Sequence, residues 1–166
     1  ASFRSREIGL DTLLEDGGHN QVKLLGAAKL EIEPAEFLRF EAGIPAFPSE
    51  LRDLSIIEAD LGAAISSSKG CYVGQEVVER STALGRPPRL LRVFEIAGKS
   101  LPNPGDNLTA LGGGATAGRI VSVCRNPNAS RILAFISVKN TPEIVEAVNA
   151  AGLEIDGQKA LPLVKM

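Results

Sequence analysis

The sequence has no tryptophan, one tyrosine and one histidine, and aromatic residues fill only 4% of its 166 positions. Its core has few aromatic anchors and must rest on aliphatic side chains and six phenylalanines. Two cysteines, Cys71 and Cys124, are too few for a disulfide framework or for a four-thiolate metal or cluster site within one chain. The single histidine, His19, stands beside Gly17 and Gly18 with no cysteine near it, so it forms no metal-ligand pattern. No apolar run reaches about 18 residues, so no membrane-crossing helix is expected. The opening residues ASFRSREIG hold no apolar stretch of the signal-peptide kind. A cytoplasmic, reducing compartment is therefore the expectation. Neither sign of charge dominates, because 18 Lys and Arg meet 20 Asp and Glu for a net charge of −2. That balance argues against direct nucleic-acid binding. With 44% hydrophobic and 23% charged residues the chain is not a disordered one. Its length suits one ordinary domain or two small ones.

The small net charge conceals a division. Residues 1–79 hold 7 basic and 14 acidic residues, and residues 80–166 hold 11 basic and 6 acidic. The sign changes at Arg80, and Arg86, Arg89 and Arg92 follow before the next acid, Glu95. Such asymmetry suggests two modules or one polarised surface. The proline- and glycine-containing stretch Ser81–Pro88 is the candidate boundary. The first half reads as mixed and mostly helical. Residues 7–14 suit a short extended segment, and Asn20–Leu30 carries a weak helical stripe. Pro34 fits the first turn of a further helix whose apolar side is Phe37, Leu38 and Phe40, ending near Gly43 ahead of Pro45. Ile44–Glu50 should be irregular. Ile56–Ala64 suits either a strand or a loop with a short turn. The second half reads as strands at Leu90–Ile96, Asn107–Leu111, Gly118–Cys124, Ile132–Val138 and Lys159–Val164, separated by turn residues. Thr141, Pro142 and Glu143 look like a helix cap and first turn, with Gly152 as the stop. Short strands at this spacing with one helix predict a small barrel.

The densest chemistry lies in Lys69-Gly70-Cys71-Tyr72-Val73-Gly74-Gln75-Glu76, followed by Val77 to Arg80. Gln75–Arg80 can begin a helix, and a helix N-terminus with a nearby lysine favours a thiolate at Cys71. Cys71 is then a candidate catalytic nucleophile, a redox-sensitive thiol or a metal ligand; the alternative is a small buried hydrophobe. Tyr72 can stack on a flat heterocycle or serve as a half-buried aromatic. Gln75 can pair with a ring amide. Glu76 is either a site acid or an ordinary first-turn acid. Arg80, Arg86, Arg89 and Arg92 can face a phosphate or form a solvated face. Gly112–Ala117 fits a dinucleotide pattern formally, but β-branched Ile120, Val121 and Val123 follow in place of a helix, so it reads as a hairpin turn. Cys124 reads as core. No Gly-x-Ser-x-Gly elbow supports a Ser-His-Asp triad.

Residues 69–76 resemble the KGCY-x-GQE signature of the YgfZ-type folate-binding proteins, relatives of the glycine-cleavage T protein, an aminomethyltransferase. Leu38-Arg39-Phe40-Glu41-Ala42-Gly43-Ile44-Pro45 is similar to the LR-x-EAGIP segment that precedes the signature in both branches. Gly118–Ser122 and Ile132–Ile136 resemble the C-terminal barrel. Cys71-Tyr72 and Gln75 resemble the YgfZ branch, because the T protein usually carries an acid-aromatic pair and an arginine at those places. The resemblance implies an α+β fold in which residues 1–87 form part of the folate-binding domain and residues 88–166 a small β-barrel. It implies tetrahydrofolate as ligand, with Lys69, Tyr72, Gly74, Gln75, Glu76 and Arg80 near it and Cys71 as the functional thiol. It also implies a role in iron–sulfur protein maintenance with an effect on tRNA modification, assembly proteins as partners, no metal and no membrane. The family begins with an N-terminal region that holds much of the folate pocket and, in the T protein, the catalytic aspartate. The resemblance therefore implies that this chain is the C-terminal part of a longer protein. Near Ile8–Leu14, Gly9-Leu10-Asp11-Thr12-Leu13 keeps little of the T protein's glycine-rich folate-binding segment.

Overall fold

From Arg89 onward, alternating apolar positions build six antiparallel strands: β1 (Arg89–Ala97), β2 (Asn107–Ala110), β3 (Thr116–Arg125), β4 (Ile132–Lys139), β5 (Leu153–Ile155) and β6 (Gln158–Pro162). The structure is a computed structural model that describes residues 30–66, 70–83, 85–111, 114–126 and 130–163. The segments expected at 7–14 and, apart from Leu30, at 20–30 lie outside those residues. The strands close into a barrel in the order β1-β4-β3-β2-β5-β6, with β6 pairing back onto β1. Bulges between Leu108 and Thr109 and between Ile120 and Ser122 break the register of β3 with its neighbours. They add the local bend that closure of a small sheet requires.

The interior is aliphatic apart from Phe94, in keeping with the scarcity of aromatics. Phe94, Ile96, Leu108, Ile120, Ile132, Ile136, Val138, Leu153 and Ile155 fill it with small Ala117, Ala134 and Ala160 between them. Helix α3 (Pro142–Ala151) adds Val148 to the same core. Its cap is the expected one: Thr141 Oγ1 accepts from the Ile144 N–H, Pro142 opens the helix, and Gly152 ends it at φ +92°. A Cβ on Gly152 would meet the Ala160 carbonyl oxygen at 2.5 Å, so both backbone angle and space require glycine there.

The strand pair β5–β6 was half foreseen. Only its second arm is long enough to read as periodic, and it ends at Pro162 within the described residues. The turn between them is Asp156-Gly157, both at positive φ, the pairing that suits a tight hairpin.

Helix α1 (Ile32–Glu41) covers the outside of the barrel. Phe37 and Phe40 pack on Leu91, Val93, Leu133 and Phe135. Strand β4 is thus buried on both faces, which is why ILAFISVK reads as one apolar run and not as an alternation. Leu38, expected on the apolar side, is 51% exposed. Three residues at 100° each put Phe37 and Phe40 together, whereas Leu38 points well away from Phe40. The helix ends in a Schellman motif: Gly43 at φ +66° donates to Phe40 O and Ile44 donates to Arg39 O. Turns fill 42–61, and a 3₁₀ turn at Gly62–Ala64 settles Ile56–Ala64 as loop. Helix α2 (Gln75–Ala83) then leads to β1.

The charge division has a structural meaning. Arg131 pairs with Glu41 at 2.7 Å, Arg89 with Glu58 at 2.8 Å and Arg92 with Asp60 at 3.0 Å. Each pair joins an acid of the first half to a base of the second. The Leu91 N–H also donates to Glu58 O at 2.7 Å, tying the loop to β1.

Candidate functional site

The signature segment forms the approach to α2. Cys71 is a free, exposed thiol, four residues before the helix. Tyr72 is half-buried and its carbonyl accepts from the Gln75 N–H at 3.2 Å. Gly74, at φ +87°, turns the chain and its carbonyl accepts from both Val77 and Val78. Val73 and Val77 are strongly exposed. Gln75 Nε2 donates to Glu79 Oε1 at 2.6 Å, and Arg80 pairs with Glu76 at 2.9 Å, both exposed. Lys69 lies outside the described residues. The structure thus gathers Cys71, Tyr72, Gly74 and Gln75 at one turn, while Glu76 and Arg80 face each other along the helix. The arginine series does not converge: Arg86 is exposed, and Arg89 and Arg92 hold the acids of the loop. Cys124 packs beside the phenylalanine cluster, and burial, with Glu36 nearby, raises its thiol pKa, as suits a core residue.

A second locus carried no foreseen role. Glu50 is 2% exposed. Its Oε2 accepts from the Ala46 N–H at 2.7 Å and from Arg39 Nη1 at 3.0 Å. Burial pushes the Glu50 carboxyl up, but Ser122, Ala46 and Arg39 more than offset that and hold it below the ordinary carboxylate value. The Ser122 hydroxyl is buried beside the carboxylate, just outside full hydrogen-bond geometry. Arg39 also holds Glu36 and the Ile44 carbonyl, and its guanidinium lies 4.7 Å from the Phe40 ring centre and 5.7 Å from that of Phe135. Arg39 and Gly43 belong to the LRFEAGIP segment, which therefore closes α1 and anchors it to the barrel. Glu50 was missed because its partner is eleven residues away and no periodicity links them.

Beside Glu50 a cleft of about 390 Å³ opens between residues 49–54, Pro104-Gly105 and the β3–β4 face. None of the described signature residues lines it. Among the described residues, no group of three His, Cys, Asp or Glu side chains is placed to hold a metal ion. No described helix is long and apolar enough to cross a membrane.

No protein-family profile matches the chain. Curated relatives do. An aminomethyltransferase of Herpetosiphon aurantiacus is 30% identical over 116 residues, 69% of this chain and 32% of that protein. One of Streptomyces coelicolor is 31% identical over 140 residues, 77% of this chain and 36% of the other. One of Geobacillus kaustophilus is 33% identical over 104 residues, 61% and 28% respectively. The chain spans about a third of the length of these relatives. Helices followed by a closed antiparallel barrel are the α+β arrangement that the motifs implied, and by sequence the chain is similar over most of its own length to part of proteins named aminomethyltransferase.

Proposed function

We propose that the chain is the barrel-bearing portion of a folate-dependent aminomethyltransferase, passing a one-carbon unit to tetrahydrofolate. The observation that carries this reading is the similarity to proteins of that name over 69% of the chain. The groups at the α2 turn suit a pterin in kind: a tyrosine ring, an amide and a glycine that allows close approach. They do not enclose one. Ligand sites bury most of a small molecule, whereas Cys71 and Val73 face solvent and the Gln75 amide is engaged by Glu79. The described residues therefore do not by themselves fit a bound folate, and no catalytic step is assigned to them. In this reading the turn is one edge of a pocket completed by residues outside those described.

One observation favours a second reading, a YgfZ-type protein that binds tetrahydrofolate and supports iron–sulfur proteins, with an effect on tRNA modification. It is the exposed Cys71 thiol followed by Tyr72, where the T protein usually has an acid-aromatic pair. In this reading Lys69, Tyr72, Gln75 and Glu76 border the folate, with Arg80 farther along α2, and the assembly proteins are partners.

The test is tetrahydrofolate titration and a glycine-cleavage assay on the protein expressed from the complete reading frame. Binding with aminomethyl transfer supports the first reading. Binding without transfer, together with loss of iron–sulfur enzyme activity on Cys71→Ala in cells, supports the second. Absence of tetrahydrofolate binding sinks both.

A further inference from the structure

Five of the described arginines are committed to carboxylates. Arg39 serves Glu36 and Glu50, Arg80 serves Glu76, Arg89 serves Glu58, Arg92 serves Asp60, and Arg131 serves Glu41 and Glu95. Two arginines of the 390 Å³ cleft are different. Arg52, on the 49–54 turn, and Arg119, on β3, are both exposed, and among the described residues neither has a carboxylate partner. They come from segments far apart in sequence, yet they line one concavity, whose size is within the range of small-molecule sites.

Arg119 is held in place there. Its Nε donates to Gly105 O at 3.1 Å, and Gly105, at φ +101°, has no side chain to displace the guanidinium, since an added Cβ would lie 3.3 Å from Nη2. One backbone bond thus orients the fork and leaves the Nη groups without a carboxylate. Ser137, half-buried, adds a hydroxyl to the lining. The cleft's acids are Glu50 and Asp53. Glu50 is compensated at its back by Arg39 and the Ala46 N–H. Arg89 donates to the Asp53 backbone carbonyl and pairs with Glu58, so the exposed Asp53 carboxylate is the one cleft acid with no cation bound to it among the described residues. The bulge between Ile120 and Ser122 lies on the same wall, where a bent strand re-aims side chains toward a site.

The geometry points to a binding site for a small oxyanion, a carboxylate or phosphate group carried by a small molecule, gripped between Arg52 and Arg119. A guanidinium fork matches both groups through paired, charge-assisted hydrogen bonds. The site is separate from the α2 turn and does not rest on the folate reading.

The test uses the 166-residue chain, with inorganic phosphate and succinate as separate probes, followed by backbone amide NMR shifts. Saturable shifts at Asp53, Gly105 and Arg119 are expected with at least one probe, and the tighter of the two names the group. Arg52→Gln and Arg119→Gln should each weaken binding about tenfold or more, the scale of a lost hydrogen bond to a charged group. Arg119→Lys should restore only part of it, because the fork is gone. Arg86→Gln, outside the cleft, should change nothing. Both cleft arginines are exposed, so their variants keep the fold, which the amide spectrum verifies. Non-saturating shifts with both probes overturn the proposal. So does an equal loss from Arg86→Gln, which would mean a diffuse positive field and not a site.

Discussion

The two motif segments of this chain lead opposite lives. LRFEAGIP is embedded: Phe40 is 2% exposed, Arg39 is wrapped by two carboxylates, a carbonyl and two rings, and Gly43 closes the helix. KGCYVGQE is presented: Val73 is fully exposed, Cys71 is a free surface thiol, and the helix it starts is held by pairs along its own surface. The first segment is explained by what it does for the fold. The second contributes no described residue to either buried core cluster. Residues whose pattern no packing explains are the better candidates for contact with a ligand or partner.

The largest expected effect is on the embedded side. Arg39→Ala leaves Glu50 buried without its cation and strips a cover from Phe40 and Phe135, so a loss of about 3–5 kcal/mol is expected in urea unfolding. A loss under about 1 kcal/mol would mean that water reaches Glu50 and that the two segments differ less than their burial suggests.

Acid should expose the same contrast. Glu50 and Glu58 both have lowered pKa values, after burial is offset by hydrogen bonds and by Arg39 and Arg89 respectively. A depressed carboxyl stabilises the fold above its unfolded value and loses that contribution as pH falls through its folded value. Urea midpoints should therefore be level above about pH 5 and drop below about pH 4. Glu50→Gln should flatten that drop, and an unchanged profile would remove Glu50 from the cause.

Smaller effects belong to the presented segment. Gly74→Ala forces a side chain into the left-handed region and should cost about 1–2 kcal/mol by thermal unfolding. Smaller still, Val73→Ser should shift stability by less than about 0.5 kcal/mol. Cys71→Ser should leave the melting curve unchanged while removing the fast-alkylating thiol, because Cys124 is packed beside the phenylalanines. If Cys71→Ser unfolds the chain, the thiol is structural and the contrast fails.

The legible parts were those governed by local rules. Thr141-Pro142-Glu143 with Gly152 gave α3 its bounds within a residue, and Pro34 to Gly43 did nearly as well for α1. Strands longer than about five residues were readable from their β-branched and aromatic content. Strand β5 was not, because three residues show no period. Leu38 misled because three nearby apolar residues do not lie on one helical face. At the site, the cysteine-tyrosine turn was visible as a dense cluster of chemistry. The Glu50 cleft was not, because Arg39, Glu50, Arg89, Arg119 and Ser137 come from segments with no shared spacing.

The sequence by itself determined which stretches turn, cap and alternate, because backbone preference and side-chain period act over a few residues. It also held the charge division, but not its purpose. Only the tertiary structure decided that acids at 41, 58 and 60 meet arginines at 131, 89 and 92, that β4 is covered on both faces, and that Arg52 and Arg119 are left over beside a buried glutamate. The physical reason is that ion pairing and burial depend on distance in space. Closing six strands into a barrel sets those distances between residues that the chain keeps far apart.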